Sequence, residues 1–290
     1  MTTNLRTIPV SVLIPTRNEE RNIEDTLASV AFFDDVVVLD SFSADRTAEL
    51  AREAGAIVIS RVFDNFSAQK NWALETHQFK HKWVLLIDAD ERVDAALAEE
   101  IASVVKAQRH SGFFIPRKNY FKGVWLRWAG MYPDYQLRLF RIGMARFEDR
   151  LVHEHVILNG TAGKLASPLL HSDYKGIERY IDRHNHYSTL EAIEAFKLLN
   201  PRGSGTTQGR ALLPSGRRRL KMWSYQYLPM RWLAAFLYMY FFRLGFLHGR
   251  VGLKYCILRA VYELHVDLKL AELQQQNSAM REKYAELLIR

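Results

Sequence analysis

The run Trp83-Val-Leu-Leu-Ile-Asp-Ala-Asp-Glu91 is continuously apolar until it stops at two carboxylates one residue apart. Such a stretch reads as a strand buried on both faces. Three earlier strand-like runs, Val10–Pro15, Val36–Leu39 and Ala56–Ser60, alternate with helical spacings over Arg17–Val30, Asp45–Ala54 and Ser67–Glu75. A further helix is predicted from Asp94 to Gln108. Strand–helix alternation four times over implies an α/β fold with a mostly parallel sheet flanked by helices. Open sheets of this kind bind ligands at the carboxyl ends of their strands, where Asp88 and Asp90 fall. Hard carboxylate oxygens there suit Mg²⁺ or Mn²⁺ held against a diphosphate, although an acidic pair by itself also serves as a helix cap.

After Gly112 the rhythm changes to shorter strands at Phe113–Pro116, Gln136–Arg141, His155–Leu158 and Ser167–His171, then a helix over Ile177–Leu198. The predicted division is a catalytic domain over residues 1–200, a Gly/Ser/Thr/Pro-rich connection over 201–216, and a helical region over 217–290. The chain carries a net charge of +8, and the excess is local. Residues 201–262 hold 11 Lys and Arg and no acid. Trp223, Tyr227, Trp232, Phe236, Tyr238, Phe241 and Phe242 are interleaved with those cations. The charge-free run Trp232–Phe242 falls well short of the roughly 20 residues of a spanning helix. The pattern predicts a membrane-associating extension lying on an anionic surface, against the alternative of a helical bundle with solvated arginines. Periodicity at Val261, Leu264, Leu268 and onward to Leu287 fits a homo-oligomer through the C-terminal helices or packing onto the body. With Cys256 the sole cysteine, no intramolecular disulfide can form, which suits a reducing compartment. The start, Met1-Thr-Thr-Asn-Leu-Arg-Thr, has no signal-peptide core. Together these set the expectation of a peripheral protein on the cytoplasmic face of the inner membrane.

Three segments, Val10-Ser-Val-Leu-Ile-Pro-Thr-Arg-Asn-Glu-Glu20, Leu39-Asp-Ser-Phe-Ser-Ala-Asp-Arg-Thr47 and Asp88-Ala-Asp90, resemble in kind and order the family-2 inverting glycosyltransferases of GT-A fold. Later segments, Tyr132-Pro-Asp-Tyr-Gln-Leu-Arg-Leu-Phe-Arg141, Leu151-Val-His-Glu154 and Leu170-His171, are similar to those of lipopolysaccharide-core β-glucosyltransferases. The resemblance implies transfer of a hexose, with inversion, from a nucleotide diphosphate sugar, UDP-linked in the first instance. The implied acceptor is a lipid-linked saccharide of lipopolysaccharide core or exopolysaccharide synthesis.

The same resemblance implies residue roles. Pro15, Thr16, Asn18 and Glu19 would wrap the nucleoside, with Asn18 or Thr16 also able to cap the next helix. Asp40 would accept hydrogen bonds from uracil or ribose. Gln69, Lys70 and Asn71 would approach the nucleotide, Lys70 toward a phosphate or simply to solvent. Asp90 would ligate the divalent metal (Mn²⁺ or Mg²⁺), Asp88 would face the ribose and the metal's waters, and Glu91 would point away. His171 would be a further ligand or a histidine satisfied by backbone. Asp134 is the candidate catalytic base, with Glu154 competing, because the glutamate that usually precedes the aspartate is Pro133 here. Arg138 or Arg141 would bind the diphosphate or hold the carboxylate in place, one of them being a strand-edge charge. The Tyr120–Gly130 segment, with Trp125 and Trp128, reads as an acceptor lid or a core anchor.

Two other function classes remain at this level. A nucleotidyltransferase also places acids on such a sheet but needs a glycine-rich basic loop after its first strand, unlike Pro15-Thr-Arg-Asn-Glu-Glu20. A non-catalytic nucleic-acid- or membrane-binding protein could use the basic tail. Nucleic acid is disfavoured, because the aromatics form one block rather than a spaced row.

Overall fold

The computed structural model describes residues 7–148, 156–172, 174–200 and 223–289. The chain separates into two compact units, Met1–Lys175 and Gly176–Arg290. The boundary thus lies ahead of the residue 200 expected from composition, and helix α5 (Gly176–Leu199) groups with the C-terminal helices. The expected connection over 201–216 lies outside the described residues.

The first unit is built on a sheet. Strands β1 (Ser11–Thr16), β2 (Val36–Asp40), β3 (Ile57–Ser60) and β4 (Trp83–Leu86) are parallel, in the spatial order β3-β2-β1-β4. Their side chains are divided between two cores, as expected of strands covered on both faces. Val12, Ile14, Trp83, Leu85 and Ile87 pack with Ile23 and Leu27 of α1 (Glu20–Ser29) and with Leu97 and Ile101 of α4 (Ala95–Ala107). Leu13, Val37, Leu39, Val84 and Leu86 pack on the other side with Ala73 of α3 (Phe66–Thr76) and with Phe147. Helix α2 (Thr47–Glu53) links β2 to β3.

Beyond β4 the sheet becomes mixed. Strand β8 (Asp134–Arg141) runs antiparallel to β4 and to β6 (Gly112–Phe121), with the two-residue β5 (Glu91–Arg92) and β7 (Val124–Trp125) between them in the chain. Later strands are β9 (Ala145–Phe147), β10 (Val156–Leu158), β11 (Ala162–Lys164) and β12 (Leu169–His171). The last of these pairs with both β6 and β5, which brings His171 opposite Glu91.

The β6–β8 ladder contains one irregularity. Phe113 faces Leu139 and Phe114 faces Leu137, so Arg138 is an extra residue on β8. A bulge of this kind bends a strand and re-aims its side chains.

In the second unit α5 packs against the long helix Gly249–Gln274. Among the described residues no helix is long and apolar enough to cross a membrane. The mixed sheet flanked by helices, followed by a helical C-terminal region, is the GT-A-like arrangement the three early motifs imply.

Because Leu85 is fully buried on the strand that leads into the acids, Leu85→Ala should cost about 2–5 kcal/mol in urea-induced unfolding.

Candidate active site

The carboxyl ends of β1, β2 and β4 form one mouth, and its loops are laced together. Thr16 faces Asp40 across the parallel β1–β2 ladder. The Thr16 hydroxyl donates to Asp40 Oδ1 (3.2 Å), and the same carboxylate accepts from the Ser43 backbone N–H (2.9 Å) and the Ser43 hydroxyl. Asp40 is therefore the organiser of the β2 loop. Asn18 has φ 55°, a left-handed conformation that asparagine tolerates. Its N–H donates to Ser43 Oγ (2.9 Å) and its Oδ1 accepts from the Ala44 N–H (2.8 Å).

Neither Thr16 nor Asn18 caps α1. Instead Thr47 Oγ1 accepts the Glu19 N–H (2.7 Å) and Asp45 Oδ2 accepts the Glu20 N–H (3.2 Å), so the helix start is capped from the neighbouring loop. The Glu19 side chain meets Asn22 and Lys175; burial raises its carboxyl above the usual range despite those two partners.

The acidic loop after β4 is closed by Glu91 in both directions. Its N–H donates to the Asp88 carbonyl, and its Oε2 accepts the Asp88 N–H, each at 2.9 Å. Glu91 does not point away, as its sequence position suggests; it has no exposed surface. Its Oε1 receives Arg138 Nη2 at 2.9 Å and lies 3.7 Å from Arg117 Nη1. The Thr26 hydroxyl of α1 donates to the Ala89 carbonyl, fixing the loop to the core.

Arg138, for which the sequence leaves open the diphosphate or a carboxylate, is buried and divides its guanidinium between the carboxylates of Glu91 and Asp88, the latter at 2.5 Å. The bulge is the reason: it turns Arg138 toward the β4 acids. Asp88 correspondingly forms an ion pair rather than standing free for ribose or metal. Burial pushes its carboxyl up, but the charges of Arg138, Lys70 and Arg117 overcome this and hold it well below the usual carboxylate range. Burial also lifts Glu91 above that range, with the Asp88 charge adding to the lift and Arg138 opposing it. Arg141 sits at the far end of β4, donating to the Gln108 carbonyl and lying over Trp83.

Asp90 and His171 form the remaining pair, with His171 Nε2 3.3 Å from Asp90 Oδ2. Burial pulls the imidazole pKa down, and the Asp90 charge more than reverses this. His171 Nδ1 is buried with no hydrogen-bond partner among the described residues. Among the described residues no three His, Cys, Asp or Glu side chains gather as a cation cage. Asp90 and His171 still offer the carboxylate oxygen and imidazole nitrogen that a borderline divalent cation accepts.

Asp134 opens β8 opposite Arg117, which reaches it through Nε (3.2 Å) and Nη2 (2.9 Å); Gln136 donates to its other oxygen (2.9 Å). Arg117 thus joins Asp134 to Glu91, and Glu91 joins it to the β4 acids. That chain of charges, and Arg117 within it, is not visible in the sequence motifs. Glu154 lies outside the described residues.

On α3 the candidates separate. Asn71 is committed to the backbone of Phe147, donating to its carbonyl (2.9 Å) and accepting its N–H (2.8 Å). Gln69 is buried beside the Leu39 carbonyl. Lys70 is buried rather than solvated, with Nζ 5.0 Å from the Phe147 ring centre. Pro15 lies within β1 as a strand residue. Near Asp134, Trp125 packs edge-on to Tyr132, with Lys118 Nζ 4.5 Å from its ring centre, and Arg127 lies 5.4 Å from that of the partly exposed Trp128.

Replacing Glu91 with Ala would leave Arg138, Arg117 and the Asp88 N–H without their shared acceptor. A loss of about 3–5 kcal/mol in denaturant unfolding is expected, with Glu91→Gln milder because it keeps an acceptor oxygen.

Comparison with known proteins agrees with this geometry. Residues 11–157, half of the chain, match Glycosyl transferase family 2. Over 193 residues the chain is 31% identical to the lipopolysaccharide core biosynthesis glycosyltransferase LpsC of Rhizobium meliloti, spanning 64% of this chain and 71% of that protein. It is 28% identical over 203 residues to an uncharacterized glycosyltransferase, RT0209, of Rickettsia typhi, covering 65% and 68% respectively. Among solved structures, S. aureus TarS 1–349 in complex with UDP-GlcNAc aligns with 96% of this chain and 91% of its own, at 15% identity and a TM-score of 0.47. Acids at the end of β4 beside the loops of β1 and β2, on a sequence matched over this span, lead to one assignment: the chain belongs to glycosyl transferase family 2.

Proposed function

We propose that this glycosyltransferase moves a hexose, with inversion, from a UDP-sugar to a lipid-linked saccharide acceptor of lipopolysaccharide core or exopolysaccharide synthesis. The observation that carries the reading is the row of ion pairs from Asp88 through Arg138, Glu91 and Arg117 to Asp134, with Asp90 in the same acidic loop as Asp88. It joins acids at the leaving-group side of the mouth to a carboxylate that can act on the acceptor side. The likeness to LpsC, a lipopolysaccharide core transferase by name, supports the acceptor class.

In this reading the loops after β1 and β2 hold the nucleoside, and buried Lys70 adds positive potential near the phosphates. Asp90 and His171 would hold a Mn²⁺ or Mg²⁺ ion, with diphosphate oxygens and water completing its shell. When bound, the cation supplies neutralisation of the departing diphosphate. Asp88 and Arg138 keep the Asp90 loop in place. Asp134 accepts the proton of the acceptor hydroxyl as it attacks the anomeric carbon opposite the leaving group. Arg117 and Gln136 fix the orientation of that carboxylate. Trp125 and Trp128 offer ring faces for sugar C–H groups, beside the cations Lys118 and Arg127.

The decisive assay is nucleotide release from a panel of sugar nucleotides with Mn²⁺, Mg²⁺ or chelator, using membrane lipid extract as acceptor. UDP release that depends on both cation and extract is expected; turnover unaffected by chelator would overturn the metal assignment. Asp90→Ala should abolish cation-dependent turnover without unfolding the chain. Asp134→Asn should lower kcat about 10²–10⁴-fold with little change in donor KM. Full activity in the Asp134 variant would transfer the base role to another carboxylate.

A further inference from the structure

The bend between the helices Arg231–Leu237 and Gly249–Gln274 presents a large apolar surface. It is made by a π-helical turn (Tyr238–Phe242) and a 3-10 turn (Gly245–His248). Leu237, Tyr238, Phe241, Phe242, Phe246 and Leu247 are each between 41% and 78% exposed. Large apolar side chains left exposed together on one short stretch mark an interaction site.

The inside of the bend explains why these side chains stay outside. A Cβ on Gly245 would lie 2.8 Å from Cys256 Sγ and 2.9 Å from the Met239 carbonyl oxygen. One on Gly252 would lie 2.1 Å from the Gly245 carbonyl oxygen. Backbone meets backbone there, so no bulky side chain can turn inward. On the long helix the apolar surface continues through the exposed Leu253, Ile257 and Val261, while Tyr255, Cys256, Tyr262 and Val266 are buried.

The charge on this surface has one sign. Arg243, Arg250 and Lys254 are exposed along it, and the sequence has no acid from residue 201 until Glu263. Arg231 provides the contrast, being buried in an ion pair with Glu263 and Asp267. Two copies of the chain joined through this face would bring like charges together, which disfavours self-association. Exposed aromatics beside solvent-facing cations, on turns too short to cross a bilayer, match an interfacial seat.

We propose that the Leu237–Leu247 bend rests in the headgroup layer of an anionic bilayer, with Arg243, Arg250 and Lys254 on lipid phosphates. This seating is independent of the transfer reaction, so either can fail without the other.

The test is co-sedimentation of the full chain with phosphatidylglycerol-containing vesicles and with neutral phosphatidylcholine vesicles, at low and high salt. The wild type should bind the anionic vesicles preferentially and lose binding as salt rises. The variant Phe241→Ser/Phe242→Ser/Phe246→Ser should bind them about tenfold or more weakly. Arg243→Gln/Arg250→Gln/Lys254→Gln should reduce binding to the level seen with neutral vesicles. Both should keep the wild-type melting temperature. Should the aromatic triple variant fail to fold, Phe242→Ser alone, at a side chain 78% exposed, should still weaken binding about threefold. Undiminished binding by folded variants would overturn the proposal, as would equal binding to neutral vesicles. So would a wild-type dimer in sedimentation velocity that the aromatic variant converts to monomer.

Discussion

A fully buried glutamate between two arginines is the constraint on which the rest of the first unit depends. Glu91 has no exposed surface, lies 2.9 Å from Arg138, and accepts the Asp88 backbone N–H. Burying such charges is costly, and the attraction between them offsets that cost only when the remaining donors and acceptors are satisfied. Here most are shared: Arg138 also holds Asp88, and Arg117 also holds Asp134, while Arg138 Nε is buried with no partner among the described residues. The arrangement fixes the separation between acids at the end of β4 and a carboxylate at the start of β8. No regular pair of antiparallel strands would achieve this, because it requires Arg138 to leave the alternation of its strand.

The same physics decides how much of the site is legible in the sequence. Strands covered on both faces leave unbroken apolar runs, so β1, β2 and β4 were legible and their ends placed the acids in one mouth. Asp90 beside His171 was also within reach, since each closes an apolar strand. Glu91 was not. An acid after two others reads as solvated, and its burial depends on an arginine 47 residues later that a bulge turns inward. Asn71 illustrates a second limit. Its amide matches the backbone of Phe147, a contact across 76 residues that no local pattern encodes. Lys70 is a third case, a cation whose surroundings of Phe66 and Phe147 become visible only in three dimensions.

The C-terminal unit shows the reverse balance. Its composition announced the aromatic and basic character plainly, yet gave no hint of which aromatics would be buried. Tyr225 and Tyr262 both donate to the buried Glu191, and Arg231 lies over the Tyr225 ring, so part of the aromatic content serves the unit's interior. The bend at Gly245 and Gly252 separates that internal set from the exposed one.

The capping of α1 by Asp45 and Thr47 has a consequence for ligand entry. Because each of the first two loops supplies the other's missing partners, they cannot open one at a time. A ligand entering there would meet a cradle already shaped, with little conformational freedom left to surrender on binding. Selectivity at that end of the cleft then rests on fit to a stiff receptacle rather than on wrapping around the guest.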